Sequence, residues 1–219
     1  QVTSPYTPRD LGEVVEIAAG GSGSLARRSD GTLVGWDERN LLSIPARITR
    51  VAQIAAGSSH YLALHTDGTV SAWGSNVAGQ CSCPPIDGIE KVAAGSAHSL
   101  ALGKNGRVYA WGADELGQIN IPAKLERVIA IAAGANHSVA LLEDQTVCAW
   151  GANGSGQCRL PRDLPLAIAI AAGLDHSLAL RRDGRVLAWG SNELGQCTVP
   201  AEALFGVKKI AAGWGYSLA

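Results

Sequence analysis

No stretch of apolar residues in this 219-residue sequence approaches the roughly 18 needed to cross a bilayer as a helix, which excludes a helical membrane span. No block of like charge occurs either. Eighteen Lys and Arg stand against nineteen Asp and Glu, a formal net charge of -1. The basic stripe that nucleic acid or an anionic membrane surface demands is therefore missing, and neither is expected as a partner. Methionine is absent altogether, and no basic segment followed by an apolar run opens the chain. The compartment thus stays unassigned, and a processed piece of something longer is expected. Helical periodicity is lacking throughout, as are a Gly-x-Ser-x-Gly elbow and a phosphate-cradling loop that opens a helix.

The cysteines are few and badly placed for a disulfide framework. Cys81, Cys158 and Cys197 occupy one and the same repeat position, with Ile119 filling it in another copy, while Cys83 and Cys148 stand alone. Equivalent positions in neighbouring repeats lie beyond the roughly 4.4–6.8 Å Cα separation of a disulfide. Five free thiols are expected, which leans towards a reducing compartment.

What the sequence does contain is a repeat. Ala-Ala-Gly recurs with its glycine at 20, 57, 95, 134, 173 and 213, at spacings of 37, 38, 39, 39 and 40 residues. A tryptophan closes the unit at Trp36, Trp73, Trp111, Trp150 and Trp189. Self-similarity at such a period marks a repeat architecture. Within one unit, Val-x-Ile-Ala-Ala-Gly and His-Ser-Leu-Ala-Leu are short apolar runs, long enough for strands and too short for helices. Asp-Gly or Asn-Gly then marks a tight hairpin at Asp30-Gly31, Asp67-Gly68, Asn105-Gly106 and Asp183-Gly184. Asp144-Gln145 departs from that rule and predicts a different or slightly strained turn. A third strand ends at Trp-Gly, and a Gly-x-Asn-x-x-Gly-Gln-Cys-x-x-Pro connector predicts a short fourth.

One such sheet cannot cover both of its faces, whereas radial stacking buries each against its neighbours. The fold class expected is all-β: a β-propeller of about 38-residue repeats, with five complete blades and a partial sixth. Residues 1–13 read as an N-terminal arm and 14–219 as a single repeat domain. Copies two to five start near Val51, Lys91, Val128 and Ala167, and the sixth starts at Val207. Small Ala-Ala-Gly steps belong on crowded inner strands, and the Trp is the expected wedge between blades.

These residues carry a resemblance. Ala-Ala-Gly-x-x-His-Ser-Leu-Ala-Leu, followed by Asp-Gly-x-Val-x-Ala-Trp-Gly-x-Asn-x-x-Gly-Gln, resembles the repeats of the regulator of chromosome condensation family over roughly residues 14–219. The short period is more similar to bacterial members, including propeller-type β-lactamase inhibitor proteins. The resemblance implies a β-propeller, commonly seven-bladed, that serves as a guanine-nucleotide exchange factor, an interaction domain or a β-lactamase inhibitor. The inserted wedge and basic tail of the exchange factors have no counterpart in these spacings.

Candidate chemistry is weighed residue by residue. His60, His98, His137 and His176 sit one blade apart, so they cannot share a zinc ion with ligands at about 2.0–2.1 Å. Hydrogen bonding to backbone inside each blade is expected instead. The Ser after each His points to the opposite sheet face, which argues against a Ser–His nucleophile. No catalytic residue, metal site or cofactor is assigned, and no enzyme activity is expected.

The copies differ most in two loops: the pair after Ala-Ala-Gly and the segment after Trp-Gly. Strand alternation puts both on one rim, and a rigid scaffold with variable loops is a common binding design. The candidate partner-binding residues are Asp37, Glu38, Arg39, Asp114, Glu115, Asn136, Asp175, Glu193, Trp214 and Tyr216. The leading expectation is a non-enzymatic scaffold that binds a protein partner. The alternatives are a β-lactamase-inhibitor-like binder or a fragment that self-assembles into homo-oligomers through open blade edges. An enzyme or carbohydrate-binding propeller is the remaining reading, but its channel would need polar inner strands where this chain has Ala, Gly and Ile.

Overall fold

Short apolar runs separated by turn residues produce the architecture directly. The computed structural model describes residues 11–37, 40–162, 164, 166–201 and 205–219, and the ordered elements among them are strands. The first unit holds β1 (Val14–Ala19), β2 (Ser24–Arg28), β3 (Leu33–Asp37) and β4 (Asn40–Leu41). The second holds β5 (Val51–Ala56), β6 (His60–His65) and β7 (Val70–Gly74). The third holds β8 (Ile89–Ala94), β9 (His98–Gly103) and β10 (Val108–Gly112), and the fourth β11 (Val128–Ala133), β12 (His137–Leu142) and β13 (Val147–Gly151). The fifth holds β14 (Ala167–Ala172), β15 (His176–Arg181) and β16 (Val186–Gly190), and the sixth the two-residue strands β17 (Ala211–Ala212) and β18 (Ser217–Leu218). The first five units are antiparallel meanders and the described part of the sixth is a two-stranded antiparallel hairpin. The third begins at Ile89, two residues before the Lys91 expected, because Ile89 takes the place that Val51 and Val128 hold in the neighbouring units.

The hairpin turns follow their chemistry. At Asp67-Gly68 the glycine takes φ 84°, and the Asp67 carboxylate accepts from the Thr69 amide at 3.0 Å and hydroxyl at 2.6 Å. The departing turn keeps the same form: Gln145 adopts φ 70°, Thr146 bonds Asp144 in the same way, and Gln145 bears the strain.

The expected fourth strand needs correction. Among the described residues it exists in the first unit only; in units two to five the connector closes on its own side chains. In the second, Asn76 Oδ1 accepts from the Cys81 amide at 2.8 Å and Gln80 Oε1 from the Ala78 amide at 2.9 Å. Backbone donors satisfied by side chains have no call on a strand ladder. All five cysteines are free, and Cys81, Cys158 and Cys197 direct their thiols at connector carbonyls 3.1 Å away.

Blades stack through alternation along the second strand. Leu62 and Leu64 face the third unit and meet Ile89, Val92, Ala101 and Trp111, while Ala63 between them faces the first unit. The same pattern repeats with Leu100 and Leu102 against Val128, Ala140 and Trp150, and with Val139 and Leu141 against Ala167, Ala179 and Trp189. The tryptophans are wedges between blades, as expected. Burial of one leucine or tryptophan in these seams stabilises by about 2–3 kcal/mol.

Near the axis the glycines of Ala-Ala-Gly leave no room for a Cβ. At Gly95 it would collide with the His98 ring and the Gly134 carbonyl, and the matching approach links 20 to 57, 57 to 95, 134 to 173 and 173 to 213. The series stops there: the atoms nearest a Cβ at Gly213 all belong to Tyr216. Among the described residues the faces of the first and sixth units that point away from their neighbours are exposed. Ile17 is 75% exposed where its counterpart Ile54 is 4%, and Leu218 is 59% exposed where Leu62 is fully buried. The described residues form an arc of five complete blades and a partial sixth.

Candidate partner-binding rim

The two variable loops of each unit lie side by side. The amide after each Trp-Gly donates to the carbonyl of the loop after Ala-Ala-Gly: Ser75 to Ser59, Ala113 to Ala97, Ala152 to Asn136 and Ser191 to Asp175, all at 2.8–2.9 Å. One rim therefore carries both sets, as strand alternation predicts. In units two to five an Asn or Asp and a Gln side chain accept from amides of their own connector.

Under the rim, a four-residue latch joins consecutive blades. His98 Nε2 lies 3.1 Å from Ser138 Oγ of the next blade, Ser138 Oγ donates to the Gln118 carbonyl at 2.8 Å, and Trp150 Nε1 donates to that carbonyl at 3.0 Å. His60–Ser99–Gln80–Trp111 and His137–Ser177–Gln157–Trp189 repeat the arrangement. His176 Nε2 reaches Ser217 Oγ at 3.0 Å, and Ser217 donates to the Gln196 carbonyl at 2.7 Å. The expected partner of the histidines is corrected here: each bonds a serine of the following blade, not backbone within its own. A strand's alternation fixes which face a side chain takes, and the partner comes from the blade stacked on that face.

The latch also fixes proton positions. Each serine spends its hydrogen on a carbonyl and must accept from Nε2–H, so Nδ1 is the bare nitrogen. The Nδ1 atoms of His60, His98, His137 and His176 are buried without a hydrogen-bond partner. A proton there would place an uncompensated charge in the seam. Burial accordingly pushes His60 and His137 down to about 4; burial, then the His137 and His60 charges, pushes His98 down to about 3. His176 is also lowered by burial, against a smaller upward pull from Asp175. Three of the Ser–His pairs are fully buried and His176–Ser217 is part-buried, and in all four the serine proton is already engaged. Among the described residues, no group of three His, Cys, Asp or Glu stands close enough to hold a metal ion.

The first seam is built differently. Gly23 stands where later units have histidine, and Tyr61 replaces serine; a Cβ at Gly23 would meet the Tyr61 hydroxyl at 2.8 Å. Tyr61 fills the vacated room and stacks on Trp73 with centroids 5.6 Å apart, and both polar atoms, Tyr61 Oη and Trp73 Nε1, lack a hydrogen-bond partner.

Of the candidate residues, Asp114, Glu115 and Glu193 are exposed on the rim, and Asn136 and Asp175 are half-buried in it. Asp175 is committed internally, accepting from Gln157 Nε2 at 3.0 Å. Asp37 is half-buried beside the first seam, and its charge helps raise the Tyr61 pKa after burial. Glu38 and Arg39 lie outside the described residues. Trp214 is 65% exposed and, with Tyr216, borders an axial pocket of about 420 Å³ lined by Ala and Gly from all six units. Tyr216 stands at the histidine position, its ring over Gly213. Sequence reasoning missed the exposed apolar residues that share this rim, Val77, Leu116 and Leu194. Leu194 packs on Gly215, next to Trp214. Their signal was legible, an apolar side chain inside a polar connector where another copy has Gly154-Ser155. Among the described residues no helix is long and apolar enough to cross a membrane.

Comparison with known proteins agrees with this geometry. The sequence pattern of the regulator of chromosome condensation (RCC1) repeat matches residues 51–80, 89–118, 128–157 and 167–196, the second to fifth units. Prp20p of Saccharomyces cerevisiae, a structure described with its binding to Gsp1p and histones, is similar at 21% identity and TM-score 0.74; the match covers 93% of this chain and 67% of that one. The complex of Kap60 with yeast RCC1 (Prp20) gives 23% identity, TM-score 0.77 and coverages of 96% and 68%. Human WBSCR16 gives 19%, 0.72, 92% and 72%. At these identities the likeness is one of fold. Comparison with curated protein sequences gave no match.

Proposed function

Because the chain belongs to the regulator of chromosome condensation (RCC1) repeat family, we propose that it is a non-enzymatic β-propeller scaffold whose rim loops hold a protein partner. In this reading residues 14–219 act as one repeat domain and 1–13 as an arm. The observation that carries it is an exposed tryptophan, Trp214, beside Leu194 and Glu193 on loops held rigid by internal hydrogen bonds. Aromatic anchors ringed by polar residues are where binding energy concentrates at protein interfaces. The acidic residues Asp114, Glu115 and Glu193 favour a partner with a basic contact surface, which they would steer and orient. That Prp20p binds Gsp1p and histones supports a protein as the kind of partner.

The test is cross-linking of the protein in extracts of its source organism, followed by purification of the captured protein and titration against variants. Trp214→Ala should weaken the purified complex by tenfold or more, since a central aromatic contributes about 2 kcal/mol or above. Glu115→Lys with Glu193→Lys should slow association and remove its salt dependence. Equal binding by all three proteins would sink the rim as the binding face.

A further inference from the structure

The strands end on two rims of opposite chemistry. The rim across from the candidate binding loops is built from the hairpin tips and the segments that enter each first strand, bonded to one another in turn. The Thr66 amide donates to the Arg50 carbonyl at 2.9 Å and the Ile89 amide to the Gly68 carbonyl at 3.0 Å; Lys104 with Gly88, Val128 with Gly106 and Glu143 with Arg127 continue the series. At four places on this hairpin rim the local structure favours glycine or threonine, and the chain carries arginine. Arg50 and Arg127 adopt φ 52° and 55°, where the same entry position is Gly88 in the third unit and Gly206 in the sixth. Arg107 and Arg185 stand where Thr32, Thr69 and Thr146 close their turns with a hydroxyl bond to the turn aspartate. All four arginines are exposed, as are Lys104 and Arg182 beside them. The loop rim is the reverse. Asp114, Glu115 and Glu193 are exposed there, and its described residues include no lysine or arginine. Each rim also exposes apolar side chains: Ile129, Leu166 and Ile168 on the hairpin rim, and Val77, Leu116 and Leu194 on the loop rim.

We propose that the hairpin rim of one molecule docks on the loop rim of a second copy, head to tail. The second strands hold a molecule's own rims roughly 20 Å apart, so the two can meet only between copies. Asp67, Asp144 and Asp183 share the hairpin tips with the arginines. They would repel a continuous chain of phosphates, whereas the separate carboxylates of a protein surface can interleave with them. The occupant is therefore a protein face with discrete acidic groups among apolar side chains, and the loop rim of this chain supplies both. The contact joins two different faces, so each added copy leaves one of each free, and assembly continues until it closes on itself or protein runs short. This docking rests on the loop rim as a binding face and names its occupant. The residues that make it belong to the second to fifth units.

The test is sedimentation velocity of the full chain, from micromolar to submillimolar protein, in about 20 mM and about 500 mM salt, between which the screening length falls severalfold. In low salt the average mass should rise with concentration, and the higher salt should weaken association at least tenfold. Arg107→Glu with Arg185→Glu should weaken it by a similar factor, as should Glu115→Lys with Glu193→Lys, with circular dichroism unchanged. An equimolar mixture of the two variants should associate again, because the hairpin rim of the first, turned acidic, meets the loop rim of the second, turned basic. If either variant unfolds, the salt dependence of the unmodified chain decides. A monomer at every concentration in low salt, or association indifferent to salt, would overturn the proposal. Association lost in the folded loop-rim variant but kept in the folded hairpin-rim variant would also overturn it, and would leave the loop rim standing as a face for a different protein.

Discussion

Ser138 shows how much rests on one hydroxyl. It accepts from His98 and donates to Gln118, so Ser138→Ala strands a buried donor and removes one bond from a shared carbonyl. The expected loss is about 2 kcal/mol, read from the shift of a urea denaturation midpoint. The histidines on the other side of the latches make stability depend on pH. Their folded pKa values, near 3–4 for His60, His98 and His137, lie below the unfolded value of about 6.5, so the unfolded chain binds more protons between those limits. Their contribution is complete above pH 6.5 and is lost as pH falls through that window. Each histidine should lower stability by about 1.4 kcal/mol per pH unit there. Denaturation at pH 7.0, 6.0 and 5.0 checks this before the turn aspartates, whose pKa values are lowered, begin to titrate. The sequence made the histidines' structural role legible but not their partners. His98 and Ser138 are 40 residues apart, and only the stacking of blades brings them together.

At the scale of the element, turns and strands were legible because their chemistry is local. Asp-Gly names its turn, and the alternation of Leu62, Ala63 and Leu64 names two faces. Gln145 adopts the conformation glycine holds in the sister turns. Gln145→Gly should therefore raise stability by roughly 0.5–1 kcal/mol, the relief of a left-handed backbone less the added freedom of the unfolded chain. A thermal melt shifted upward by a few degrees is the expected reading. The fourth strand was misjudged for an equally local reason. The connector looks like a strand end in one dimension, but Asn76 and Gln80 turn their side chains back on its amides.

For the molecule as a whole, repeat number and blade stacking were legible from the period; open blade edges stood only as one alternative, because closure depends on faces no single repeat describes. Stability in such an array is close to a sum over units and their shared seams. Among the described residues the second to fifth units have two seams each, and the first and sixth have one. Amide hydrogen exchange should be slowest in β6, β9, β12 and β15 and fastest in β17, β18 and β1, with β1 faster than β5 despite similar sequences. Uniform protection across all six units would contradict this picture.

The latch also has consequences for how such a chain changes in length over generations. The three joints between the second and fifth units are made by the same four residues, so a duplicated copy of residues 128–166, spliced in after 166, meets familiar neighbours on both sides. The first joint is bespoke, with Tyr61 fitted to the absence of a side chain at Gly23. A copy spliced there would present histidine to tyrosine. Recombination between misaligned repeats can thus lengthen or shorten this run of units at little cost, while the joint between the first and second units admits no copy. An engineered duplication of 128–166 should yield a folded chain with an undiminished melting temperature, and an insertion between the first and second units a poorly folded one.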